Sequence, residues 1–91
     1  MKSSNYFEDI HVYPNPAIDM ITIDYPAGFK KYQLQLFDAL GQMVLNEQLD
    51  NDASNNGVLT HTINVSELTK GVYIVNLQTE SNSSFKRVVI Q

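Results

Sequence analysis

The chain has 91 residues, six Lys and Arg against ten Asp and Glu for a net charge of -4, and neither cysteine nor tryptophan. That describes one small domain and excludes a disulfide framework or a cysteine-based metal centre. No basic cluster exceeds the pairs Lys30-Lys31 and Lys86-Arg87, so the positive stripe that phosphate-backbone binding requires is missing. The longest aliphatic-aromatic run, Val72-Tyr73-Ile74-Val75, is far below the roughly 20 residues of a membrane-crossing helix.

Residues 1–9 carry no period and read as a linker or an introduced start, with the globular part running from 10 to 91. Met1-Lys2-Ser3-Ser4-Asn5 lacks the apolar stretch of a secretory signal, so an exported protein would carry its signal upstream. From Ile10 the chain divides into short runs with period-two alternation, separated by turn chemistry about every ten residues, the spacing of a sandwich or barrel. Ile10 to Tyr13 stops at Pro14-Asn15-Pro16, where two prolines fix φ and remove two amide donors. Met20 to Tyr25 sets Ile21, Ile23 and Tyr25 on one face and Thr22 and Asp24 on the other. A third run places Tyr32, Leu34 and Leu36 opposite Gln33 and Gln35. Asp38-Ala39-Leu40-Gly41 then reads as a hairpin turn into Gln42 to Leu49, with Gly41 supplying a positive φ.

Asp50 to Gly57 has no apolar residue larger than alanine and reads as a solvated loop. Leu59, His61, Ile63 and Val65 alternate with Thr60, Thr62 and Asn64 as a fifth strand. Ser66 to Gly71 suits a single helical turn, capped by Ser66 and terminated by Gly71. Val72 to Thr79 is apolar on both faces, as in a central strand, and Phe85 to Ile90 closes the chain as a seventh. Seven short strands favour an antiparallel β-sandwich over a closed barrel.

Few residue sets carry chemistry. Asp50, Asp52 and Ser54 imitate the first ligands of a calcium loop, but Asn55 and His61 stand where glycine and a bidentate carboxylate are needed. His11 and His61 have no companion donors at zinc spacing, and Ser66 lacks a nucleophile's context. Asp24, Asp38 and Glu47 read as surface solubilisers rather than paired glycosidase carboxylates. Tyr13, Tyr25, Tyr32 and Tyr73 read first as core packing and second as an aromatic platform for sugars. In the last strand, Val88 and Ile90 facing inward would leave Lys86 on their side and Phe85, Arg87 and Val89 on the other. Such a strand is either a plain final strand or an apolar-basic patch open to strand addition.

Four blocks occur in order: Val12-Tyr13-Pro14-Asn15-Pro16-Ala17, Leu36-Phe37-Asp38-Ala39-Leu40-Gly41-Gln42, Ile63 to Tyr73, and Phe85-Lys86-Arg87-Val88-Val89-Ile90. Together they resemble the type A C-terminal sorting domain of the type IX, or Por, secretion system of Bacteroidetes, over Ile10 to Gln91. The resemblance implies an Ig-like antiparallel sandwich that is a non-catalytic secretion signal without cofactor or metal. It implies as partners an N-terminal cargo domain, the outer-membrane translocon and a sortase-like cysteine protease that removes the domain. The path runs through the periplasm to the outer-membrane surface or the medium, the cargo being released or joined to anionic lipopolysaccharide. The residues carried over are Pro14, Asn15, Pro16, Gly71 and Tyr73 as motif positions, and Lys86, Arg87, Val88, Val89 and Ile90 as the candidate recognition strand. Family members often end on a basic residue, whereas this chain ends on Gln91. Removing residues 86–91 is expected to abolish export without loss of upstream folding. The alternative function is a carbohydrate-binding or adhesive sandwich appended to a surface enzyme.

Overall fold

A computed structural model describes residues 10–51 and 57–91, and among these the regular structure is entirely β. The strands are β1 (His11–Tyr13), β2 (Met20–Pro26), β3 (Lys31–Phe37), β4 (Met43–Asp50), β5 (Val58–Asn64), β6 (Gly71–Gln78) and β7 (Ser83–Ile90). They form a three-stranded sheet in the order β1-β2-β5 and a four-stranded sheet in the order β4-β3-β6-β7, every strand pair antiparallel. The chain is thus the expected antiparallel sandwich.

Alternation decides which side of each strand is buried. Ile21, Ile23 and Tyr25 of β2 are buried while Thr22 and Asp24 between them are half-exposed, and Tyr32, Leu34 and Leu36 of β3 alternate with Gln33 and Gln35 in the same way. A period of two leaves no other outcome once one face must be dry. These faces meet Ile63 of β5, Tyr73, Val75 and Leu77 of β6, and Val88 and Ile90 of β7 in one core, closed by Ile10, Ala17 and Val65 from the connections. Two buried tyrosines satisfy their hydroxyls locally. Tyr32 donates to the Pro26 carbonyl at 2.8 Å and Tyr73 to the Thr69 carbonyl at 2.6 Å, so each ring fills the core while its polar tip ties down the preceding turn.

The β3–β4 hairpin forms as its sequence dictates. The Asp38 carboxylate accepts the N–H groups of Leu40 and Gln42, both at 2.9 Å, and Gly41 turns the chain at φ 85°. The solvated loop expected over residues 50–57 lies mostly outside the described residues, Asp52 and Ser54 with it, while Asp50 belongs to the end of β4.

Three expectations need correction. Ser66 does not cap a helical turn: its N–H and hydroxyl both donate to Asn64 Oδ1, at 2.9 and 2.7 Å, and the Leu68 N–H reaches the Val65 carbonyl at 3.0 Å in a simple turn. Six residues cannot meet the cost of a helix nucleus when an Asn side chain offers the backbone a competing partner. Gly71 accordingly opens β6 instead of ending a helix, and the last strand begins at Ser83 rather than Phe85. Finally, residues 86–91, whose removal is expected from the sequence to spare upstream folding, belong to a strand built into the sheet. It pairs with β6 along its whole length, from Ser83↔Gln78 to Ile90↔Gly71, and buries Val88 and Ile90.

Candidate functional site: the terminal strand and its two flanks

The residues singled out in the sequence fall into three separated blocks, and the fold gathers all of them around β7. On one side lies β6, where Gly71 is the partner of Ile90 and Tyr73 the partner of Val88. On the other side runs the segment Pro14–Ala17. Ala17 pairs with Ile90 in a parallel bridge: its N–H donates to the Val89 carbonyl and its carbonyl accepts the Gln91 N–H, both at 2.8 Å. Asn15 extends that pairing with its side chain. Its Nδ2 donates to the Arg87 carbonyl at 3.3 Å, and its Oδ1 accepts the Val89 N–H at 3.0 Å.

The opening motif owes its composition to this task. Pro14 and Pro16 have no N–H to offer a neighbouring strand, and both are preceded by cis peptide bonds. The carboxamide of Asn15 supplies a donor and an acceptor side by side, the pattern that an adjacent strand would present. Just upstream, the Tyr13 hydroxyl donates to the Asp24 carboxylate at 3.0 Å, which also accepts from Thr60 at 2.9 Å. That bond to a carboxylate raises the Tyr13 phenol above its ordinary value and holds it protonated.

Within β7 the two edges are distinguishable. In an antiparallel strand the N–H and C=O of one residue point to the same side, and successive residues alternate. Arg87, Val89 and Gln91 direct theirs at Asn15 and Ala17, so Ser84, Lys86, Val88 and Ile90 serve β6. Side chains alternate across the sheet faces as the sequence implied. Val88 and Ile90 are buried, Phe85 is 61% exposed and Val89 half-buried. Lys86 follows the inward parity yet is exposed, as is Arg87, and neither forms an ion pair with a described residue. Phe85 stands across from Asn76 in a pair without mutual hydrogen bonds. Asn76, although on the outer side of β6, is buried; it donates to Gln35 at 3.0 Å and its Oδ1 finds no partner.

The other chemistry-bearing residues do not converge. Asp24 serves Tyr13 and Thr60, Asp38 serves its own turn, and Glu47 of β4 meets His61 of β5 at 2.9 Å, joining the two sheets. His11 lies on exposed β1 backbone. Among the described residues no group of three or more His, Cys, Asp or Glu is arranged to hold a metal. Among the described tyrosines, Tyr25, Tyr32 and Tyr73 are buried as expected, whereas Tyr13, also expected in the core, is exposed at the short strand β1, so these four make no platform for a sugar ring. The sequence reading missed the Asn15–β7 contact, which joins residues more than seventy positions apart, and the His61–Glu47 link; neither leaves a local pattern.

Comparison with known proteins covers all seven strands of this geometry. Residues 11–91 match the family described as the secretion system C-terminal sorting domain. The chain belongs to that family. The sorting domain is a secretion signal and not a catalyst, of the type IX class, and it directs export to the cell surface or the extracellular space. It is also 29% identical over 87 residues to an ulvan lyase of Nonlabens ulvanivorans. That match covers 96% of this chain and 15% of the lyase, so the sorting domain spans only a small part of that relative's length.

Proposed function

We propose that this sorting domain carries a larger N-terminal cargo through the periplasm to the type IX translocon, which reads the terminal strand Lys86–Ile90, and that a sortase-like cysteine protease then removes it. The match to a small fraction of a much longer lyase supports a cargo ahead of the domain. The observation that carries the reading is the convergence of Pro14, Asn15 and Pro16 with Gly71 and Tyr73 on the two sides of β7. The residues that the resemblance marks as motif positions are here the ones that flank this strand, which supports the strand as the element that is read. Val88 and Ile90 anchor it from beneath, leaving Lys86 and Arg87 as its exposed charges, without an ion pair among the described residues.

The test is export of a periplasm-directed fluorescent protein fused to residues 10–91 in a bacterium that has the secretion system. Fluorescence in the medium or on the cell surface is expected. Retention in the periplasm overturns the proposal.

A further inference from the structure

We infer that the free part of the outer edge of β7, around Phe85, is a strand-addition site for an extended acidic segment of another polypeptide. The inference rests on the secretion reading above and specifies how the strand is read. Pro14–Ala17 takes up one end of this edge, the Arg87 carbonyl, both backbone groups of Val89 and the Gln91 N–H, and β1 just upstream also lies near β7 but pairs its backbone with β2. By the same alternation, the N–H and C=O of Phe85 and the N–H of Arg87 also point away from β6, and no described residue pairs with them. The edge therefore already accepts strand-like partners along its distal end, and an incoming strand would prolong that pairing.

A bare edge is a hazard that proteins blunt with charges, and Lys86 and Arg87 serve that purpose against self-pairing. A guarding role does not account for Phe85, whose aromatic ring is left 61% exposed in the middle of the open section. The charge pattern identifies the occupant. Lys86 and Arg87 emerge on opposite faces of β7, both exposed and without an ion-pair partner among the described residues, and the outward-facing positions of β3 and β6 carry no carboxylate. A segment with acidic side chains on both faces and an apolar one beside Phe85 complements them, its backbone supplying the hydrogen bonds and its side chains the selectivity.

Phe85→Pro deletes an outward N–H without touching the bonds to β6, and proline is accepted on strand edges. Phe85→Ala removes the ring but keeps the N–H. Both are placed in the fluorescent fusion, with thermal melting of each sorting domain measured alongside. The expectation is that Phe85→Pro exports roughly tenfold more slowly than Phe85→Ala, the weight of one hydrogen bond lost from a pairing. Lys86→Glu/Arg87→Glu should lose export while keeping its melting temperature. Equal export by the proline and alanine variants overturns strand addition, and unchanged export of the double Glu variant overturns the acidic occupant. If Phe85→Pro fails to fold, Ser83→Pro, at the first residue of β7, deletes the next outward N–H and decides in the same way. A dimer of the isolated domain in sedimentation that Phe85→Pro abolishes would make the edge a self-association site and overturn the inference. Retention of the unaltered fusion in the periplasm instead overturns the secretion reading on which it rests.

Discussion

Asn15 does with one side chain what a strand does with its backbone, and the energetics of that substitution are measurable. Asn15→Ala removes the bonds to the Arg87 carbonyl and the Val89 N–H. The residue is exposed, so water replaces part of what is lost, and the expected cost is about 1 kcal/mol in urea unfolding. The sharper readout is amide exchange, which should accelerate at Val89 and stay unchanged at Val88, whose N–H serves β6. Asn76 is the opposite case. Its buried Oδ1 has no partner, so Asn76→Val should raise stability by about 1 kcal/mol, since an unsatisfied acceptor disappears and a β-branched residue enters a central strand. A drop in melting temperature would show that the bond to Gln35 outweighs that penalty. The buried phenols set the alkaline limit. Burial, with the neighbouring Tyr32, raises Tyr25; burial raises Tyr32 as well, partly countered by the Phe29 N–H that donates to it. Above the ordinary phenol value of 10.0 the unfolded chain releases these protons and the folded chain holds them, so stability is level below pH 10 and falls above it. Melting temperatures from pH 8 to 11 check this, and Tyr25→Phe should soften the fall.

At the scale of elements, the strands were legible wherever alternation had one dry face to satisfy. β2 and β3 match their predicted faces residue by residue, because a slip of one position would turn Ile21, Ile23 and Tyr25, or Tyr32, Leu34 and Leu36, to solvent. The hairpin turn was equally legible, since Asp38 and Gly41 each have a local reason to be there. Gly41 sits at φ 85° with open space where a Cβ would project, so the penalty of a side chain is conformational and not steric. Gly41→Ala should therefore cost about 1–2 kcal/mol, and Gly41→Asn distinctly less, because Asn tolerates the left-handed region. Equal losses for the two, in thermal or urea unfolding, would contradict this account. The turn before β6 was misread because Asn64 and Ser66 are both capping residues, and only the fold shows that Asn64 supplies the acceptor. The site around β7 was half legible: the strand's facing followed from its alternation, while its flank at Asn15 depends on a contact between the two ends of the chain.

For the molecule as a whole, the question is whether a terminal address can be cut away from the fold that presents it. The sequence invites that idea, since six residues at the end of a chain look expendable. The structure makes them part of the core. Deleting residues 86–91 removes Val88 and Ile90, each about 1.5–3 kcal/mol of burial, along with the pairing of Gly71, Tyr73 and Val75 on β6. It also strips Asn15 and Ala17 of their partners and leaves a new apolar edge on the central strand of the four-stranded sheet. A domain of this size is stable by roughly 5–14 kcal/mol, so these losses together consume most or all of it. The truncated chain is therefore expected to lose the amide dispersion of a folded β protein and to melt without a cooperative transition. Retention of a cooperative melt near that of the intact domain would refute this. If it unfolds as expected, failure of the truncated chain to be exported says nothing about which residues are read. Lys86, Arg87 and Phe85, exposed on the same strand, are the positions where the proposed recognition can be altered without removing a core side chain.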